Sequence, residues 1–182
     1  MRMNLALAVC FVCLAGCTAG VTRPNNEAKT GAAHIAGPTT VAVTFSESGK
    51  KAAGENLKFD QNKLKDVLDR GLDAKGLLAK DGHSAVQFVD VEITDVRVRG
   101  TFSAVMFGFM AGNDHINGKV ILSDGEHHTL RHFDVSAAYA LGGIAGGQDD
   151  TRMSWLYEKF SEETLNELTN DTASASGNVA KQ

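Results

Sequence analysis

The dipeptide Asp124-Gly125 constrains the fold of this chain more than any other local feature. It lies between two runs rich in β-branched and apolar residues, 119–123 and 127–135. Asp-Gly between such runs is a strong signal for a β-hairpin. The Asn-Gly pair at 117–118 is a second turn candidate, but a turn there would compete with a long strand through the same residues. We therefore expect two antiparallel strands that meet at Asp124-Gly125.

Two further segments are predicted to be strands. Residues 41–45 alternate apolar side chains with small or polar ones, which is typical of a half-buried strand. Residues 85–99 are β-branched or aromatic at most positions. Their alternation changes phase near Val89 and again near Asp95, and we expect a bulge or bend at each point.

Two amphipathic helices complete the predicted fold. Asp60 can cap the first, Gly76 can end it, and its apolar positions recur every three or four residues. These positions are Leu64, Val67, Leu68 and Leu72. The second begins at Asp149 or Asp150, and its apolar face consists of Met153, Leu156, Tyr157, Phe160, Thr164 and Leu168. The order β-α-β-β-β-α predicts an α+β domain with helices on one face of a small, mainly antiparallel sheet.

The composition changes outside residues 39–169. Residues 17–38 carry almost no large apolar side chains and are expected to form a flexible tether, and residues 170–182 are expected to be a disordered tail. About 130 residues remain, which is enough for one domain with one core. The net charge of −4 gives no reason to expect the basic face that nucleic-acid binding requires.

The first sixteen residues have the layout of a secretory signal peptide. Arg2 precedes an apolar run, Leu5 to Leu14, that ends in small residues. The run has about ten residues, whereas a helix needs about 20 to cross a bilayer. We therefore expect residues 1–16 to direct export and to be removed.

The end of this segment, Leu14-Ala15-Gly16-Cys17, resembles the lipobox of bacterial lipoproteins. The resemblance implies that the thiol of Cys17 carries a diacylglycerol and that the new amino group is acylated, so that several acyl chains hold the protein durably on a membrane. Cys10 and Cys13 lie within the leader, so no disulfide framework is expected in the mature chain. Thr18, in place of Asp, resembles the pattern of lipoproteins sent on to the outer membrane, which implies a position facing the periplasm.

A looser resemblance extends over the domain. It rests on residues 41–45, on Val91 to Val98, and on the Gly-Gly-Ile-Ala-Gly-Gly run at 142–147 ahead of the last helix. With the lipobox, this order resembles the periplasmic domains of Gram-negative envelope lipoproteins. That group includes the curli-secretion lipoprotein and the outer-membrane activators of penicillin-binding proteins. The resemblance implies a binding or assembly role.

Two glycine-rich apolar segments, 101–112 and 136–147, are the most unusual feature of the domain. One interpretation is a pair of sheet strands with a bend at glycine. The other is an exposed apolar surface for self-association or for a partner at the membrane, because such patches usually mark interaction sites. The residues of this candidate interaction surface are Phe102, Met106, Phe107, Phe109, Leu141 and Ile144.

We predict no catalytic, cofactor or metal residues. The glycine run at 142–147 lacks the Lys-Ser/Thr ending of a P-loop, and aspartates follow it, so phosphate binding is not expected. His128 and His132 share a strand face in this interpretation while His127 points away, and a separation of about 13 Å keeps the first two from one metal ion. No nucleophile elbow or zinc-protease motif is present in the sequence.

These observations predict a lipid-anchored, non-catalytic binding or assembly domain of the cell envelope. Its partners would be the membrane through Cys17, and an envelope protein or further copies of the chain. A small periplasmic enzyme or metal-binding protein is one alternative, which would require polar side chains converging in a pocket. A subunit of an oligomeric secretion or pore-associated assembly is the other.

Overall fold

The computed structural model describes residues 17–24, 33–81, 84–100, 112–140 and 149–169. The predicted signal peptide, residues 1–16, and the predicted tail, residues 170–182, lie outside these ranges. The described elements are, in chain order, β1 (Thr18–Thr22), β2 (Thr39–Phe45), α1 (Glu47–Glu55), α2 (Gln61–Ala74), β3 (Gln87–Arg97), β4 (Asp114–Asp124), β5 (Thr129–Tyr139) and α3 (Asp149–Thr169).

The strands form one sheet in the order β1-β5-β4-β3-β2. All neighbouring pairs are antiparallel except β2 and β3, which are parallel and are joined through α1 and α2. The predicted α+β class and mainly antiparallel sheet are therefore confirmed. The observed order contains two elements that we did not predict, β1 and α1.

One face of the sheet packs against α2 and α3 around the hydrophobic core. Side chains alternate between buried and partly or fully exposed along β3, β4 and β5, as expected for a sheet with one covered face. All six residues of the apolar face predicted for the last helix are buried, and in α2 the three leucines are buried while Val67 is partly buried. Asp60 caps α2 through its side chain, and Gly76 follows the helix with a φ of +68°.

The unpredicted helix, α1, lies beside the backbone of β3 beyond the end of β2. The Ser46 backbone N–H donates to the Ile93 carbonyl at 3.0 Å, and the Ser48 hydroxyl donates to the Thr94 carbonyl at 2.8 Å. Gly49 lies so close to β3 that a Cβ there would come within 1.9 Å of the Ile93 carbonyl oxygen. The sequence of α1 shows only a weak apolar pattern, because only part of one face of this helix contacts the rest of the protein.

The expected tether is wrong for part of its length. Thr18–Thr22 form edge strand β1, which pairs with β5 in the register Thr18 to Ala138 and Thr22 to Asp134. Ile35 is buried, and its N–H donates to the Leu168 carbonyl at 2.9 Å. The neighbouring sheet and helix thus order residues whose own side chains bury little apolar surface. Residues 25–32 lie outside the described ranges.

A largely buried ion cluster at the C-terminal end of β1 holds this short strand on the sheet. Glu167 of α3 accepts from Arg23 Nε at 2.5 Å and from Arg23 Nη2 at 2.6 Å. The same carboxylate pairs with Arg131 of β5, whose Nη1 also donates to the Glu167 carbonyl at 2.7 Å. Arg23 follows β1 directly, so the cluster joins this strand to β5 and to the last helix.

The predicted hairpin is confirmed, with a longer loop than expected. β5 begins at Thr129, not at His127. The Asp124 carboxylate accepts from the backbone N–H groups of Glu126 and His128, both at 2.9 Å, and so holds a four-residue loop in which His127 has a φ of 62°. The long strand through 117–118 prevails over a turn there. A register shift lies between Ile93 and Asp95, as predicted, whereas pairing at Val89 is continuous and the irregularity predicted there is wrong.

Candidate functional site

The candidate site is the end of the sheet at which β1 begins and β5 ends; we call it the Cys17 end. Thr18 pairs with Ala138, so Cys17 lies beside Tyr139, the last residue of β5. Tyr139 in turn pairs with Asp114, the first residue of β4. Burial, together with the nearby Cys17 thiol, raises the pKa of the Tyr139 phenol.

Cys17 is half-buried and packs against the edge of the core. It immediately precedes β1, so no spacer separates its thiol from the folded domain. The predicted attachment residue therefore lies directly next to the sheet. Any group bound to this thiol would leave the protein at the Cys17 end.

A buried network of charges holds the strand ends together at this position. The Asp114 carboxylate accepts from the Arg99 backbone N–H at 2.6 Å and from Arg99 Nε at 3.2 Å. Arg152 of α3 contributes a second guanidinium, whose Nε lies 3.1 Å from Asp114 Oδ2 in an ion pair and whose Nη2 donates to the Arg99 carbonyl at 3.0 Å. The side chains of Arg99, Asp114 and Arg152 are at most 1% exposed. These side chains bind one another and hold the adjoining elements together, and we call the network the clasp.

Further contacts extend this clasp to the neighbouring chain segments. Arg99 donates to the Gly112 carbonyl at 2.7 Å and to the Tyr139 carbonyl at 3.2 Å. Arg152 also donates to Asp149 Oδ1 at 2.6 Å, and Asp149 pairs with Lys58. The end of β3, the beginning of β4, the end of β5 and the beginning of α3 are therefore joined by one set of charges.

The loop between α1 and α2 also lies at the Cys17 end. The Asn56 side chain accepts from the Val98 N–H at 2.7 Å and donates to the Val96 carbonyl at 3.1 Å, so it continues the pairing of β3. The next residue, Leu57, is 90% exposed. Lys58 then forms the ion pair with Asp149.

All six residues of the candidate interaction surface lie outside the described residues. The structure shows where the two segments that carry them start and finish. The described residues on either side of the first segment are Gly100 and Gly112, and those on either side of the second are Ala140 and Asp149. All four of these positions lie at the Cys17 end, which the linear sequence did not reveal.

The three histidines considered as metal ligands, His127, His128 and His132, lie at the opposite end of the sheet, in or near the hairpin loop. His128 Nδ1 is 3.3 Å from Asp124 Oδ2 and 3.6 Å from Glu126 Oε2. The His127 ring stacks on Phe88 with ring centroids 4.5 Å apart. Both residues belong to the loop, so the predicted arrangement of His127 and His128 on one strand is wrong. Within the described ranges, no three His, Cys, Asp or Glu residues are placed to hold a metal ion.

Sequence reasoning missed the clasp of Arg99, Asp114 and Arg152. The signal that points to it is charge placed next to long uncharged apolar runs: Arg99 precedes one such run, Asp114 follows it, and Arg152 comes shortly after the other. Of the helices in the described part of the chain, none is both long and apolar enough to cross a bilayer.

The chain resembles two solved structures of PelC dodecamers from Paraburkholderia phytofirmans. One has a TM-score of 0.47 at 10% identity, the other 0.43 at 11% identity, and in each case the match covers 84% of this chain and 98% of the PelC chain. Among curated proteins, none matches this sequence. Residues 24–143 match the model of a domain of unknown function, DUF4410. Since this match spans well over half of the sequence, the chain belongs to the DUF4410 family.

Proposed function

We propose that this protein is a lipoprotein of the bacterial cell envelope, acylated on Cys17, with a domain that binds or assembles other molecules at the membrane surface. The sequence supports the anchor through the leader and the lipobox-like Leu14-Ala15-Gly16-Cys17. The observation that carries the proposal is the position of Cys17 at the start of β1, at the same end of the sheet as the limits of both apolar segments.

The arrangement favours binding over chemistry. The buried charged side chains of the clasp, Arg99, Asp114 and Arg152, form ion pairs with one another and hold the strand ends together. The segments that adjoin them contain no Asp, Glu, Lys or Arg between residues 101 and 111 or between 141 and 148. Uncharged apolar segments suit contact with a partner or with further copies of the chain.

Mass spectrometry of the mature N-terminus tests the anchor. We expect a peptide that begins at Cys17 and carries acyl chains, and we expect Cys17→Ala to abolish acylation and leave the leader uncleaved. An unmodified Cys17 within an intact leader in the cytosol would refute the proposal.

Membrane fractionation tests the final location. With Thr18 after the cysteine, the acylated protein should fractionate with the outer membrane. Thr18→Asp should shift it to the inner membrane, with Thr18→Ser as the matched control. Equal distribution of the two variants would refute outer-membrane sorting.

Cross-linking in intact envelopes, followed by isolation of the acylated protein, tests the binding role. A specific cross-linked envelope protein or a ladder of self-cross-linked species is the expected result. Only monomer at native abundance, together with turnover of a small molecule by the purified protein, would favour an enzyme instead.

A further inference from the structure

We infer that the domain lies directly on the lipid bilayer through the Cys17 end, with Leu57 in contact with the lipid. The inference rests on the proposed acylation of Cys17 and deepens it, because it assigns a second point of membrane contact and therefore restricts the orientation of the domain. The partner is the lipid surface that receives the acyl chains.

The first argument is the absence of a spacer at Cys17. Lipidated domains on a long flexible tether can sit well above the membrane. Here Thr18–Thr22 are paired with β5, and Arg23 is held by Glu167. Acyl chains on Cys17 would therefore bring the adjoining edge of the sheet down to the headgroups.

The second argument is the position of Leu57 relative to Cys17. Cys17 precedes edge strand β1, whereas Leu57 follows Asn56, which is bonded to the end of β3. Three strand spacings of about 4.8 Å separate β1 from β3, or roughly 14 Å in all. Two contacts this far apart on the same end of the sheet would define an axis along the bilayer surface, so the domain could not swing away from the lipid about the anchor alone.

The third argument is the exposure of Leu57, which is 90% accessible. The limits of the two uncharged segments, at Gly100, Gly112 and Ala140, lie at this same end. An apolar side chain that is largely exposed at the same end of the sheet as a lipid anchor is stabilised by entering the bilayer interface.

The two ends of the sheet differ in their exposed apolar side chains and not in their charge. Both carry exposed carboxylates, Asp124 and Glu126 in the hairpin loop and Glu55 and Asp150 at the Cys17 end. The exposed apolar side chains at the hairpin end, Val86 at 51% and Leu130 at 41%, are less accessible than Leu57. β3 runs for eleven residues, so the hairpin end lies roughly 33 Å from the Cys17 end at about 3.3 Å per residue.

Fluorescent labelling of the acylated full-length mature protein tests the orientation. Acylation consumes the thiol of Cys17, so Leu57→Cys introduces a single reactive thiol, and Val86→Cys provides a matched control at the far end. Each variant is labelled with an environment-sensitive fluorophore and reconstituted in vesicles of phosphatidylethanolamine and phosphatidylglycerol that contain nitroxide-labelled lipid. Thermal melting by circular dichroism checks that both variants keep the parent fold.

We expect a blue-shifted emission and strong nitroxide quenching for the label at position 57, and a water-like emission without quenching at position 86. A water-like, unquenched label at position 57 on protein whose Cys17 is acylated would overturn the orientation and leave the proposed function standing. Quenching at position 86 alone would also overturn it. Unacylated Cys17, detected by mass spectrometry of the same preparation, would refute the proposed function and remove the basis of the inference.

Discussion

The Asp114 carboxylate offers the sharpest test of the structure, because one substitution removes the charge at the centre of the clasp. Asp114→Asn preserves the shape of the side chain but removes its negative charge. Arg99 and Arg152, both almost fully buried, then lose their shared partner. The Asn amide group also places N–H donors next to guanidinium donors.

The expected loss of stability is large. Breaking a buried ion pair by removal of one partner costs about 3–5 kcal/mol, because the remaining charge stays desolvated. Domains of this size have a free energy of unfolding of about 5–15 kcal/mol, so the variant should lose a substantial part of it. The matched control is Glu47→Gln, the same chemical change in a pair with Lys50 whose carboxylate is 93% exposed; there we expect a loss below about 1 kcal/mol.

Urea denaturation of the mature chain, carrying Cys17→Ser to prevent acylation, measures both changes. A double-mutant cycle with Arg152→Met then tests the reason. In Asp114→Asn, Arg152 keeps only its pair with Asp149, so Arg152→Met removes a buried cation that has already lost one of its two carboxylates. The double variant should therefore lose at least about 1 kcal/mol less than the sum of the single losses. Equal, small losses for Asp114→Asn and Glu47→Gln, or additive losses in the cycle, would refute the clasp.

Three further predictions concern the packing of α3. A Cβ at Gly118 would come within 2.9 Å of Phe160 Cζ, so Gly118→Ala should lower the free energy of unfolding, measured by urea denaturation, by about 1–3 kcal/mol. The reasoning fails if the same loss persists in a Phe160→Leu background. Glu167→Gln should accelerate amide hydrogen exchange in β1 more than in β3, and equal acceleration would contradict the proposed role of Glu167 in holding this strand. Burial raises the pKa of Tyr157 to about 12. Between about pH 10 and pH 12 only the unfolded state ionises at this residue, so the free energy of unfolding should fall by up to about 3 kcal/mol over this range. Tyr157→Phe should lack this fall, and identical pH profiles for the two proteins would contradict the reasoning.

The parts of the fold that the sequence predicted depend on contacts between near neighbours along the chain. The Asp60 cap, the positive φ at Gly76 and the Asp124 loop are each settled within a few residues. The apolar stripe of α3 repeats at helical spacing over the whole helix, so its buried face could be identified without knowledge of what it packs against.

The candidate site could be predicted only in its components. The sequence identifies Cys17 and the two uncharged apolar segments, but their common location depends on the register of β1 on β5 and of β5 on β4. The register of β5 on β4 follows from the local Asp124 loop. The register of β1 on β5 joins residues more than a hundred positions apart, such as Thr18 and Ala138, and no local pattern encodes it. The exposure of Leu57 could not be predicted from the sequence, because an isolated leucine forms no periodic pattern that would indicate its environment.

The sequence by itself determined the helices with strong apolar faces, the hairpin and the α+β class, since these follow from spacing and local hydrogen bonds. Only the tertiary structure decided that Thr18–Thr22 form a strand, that α1 lies along β3, and that Arg99, Asp114 and Arg152 are buried together. The physical reason is that such segments gain little from their own side chains. They are ordered by backbone groups and charges that distant parts of the chain bring to them.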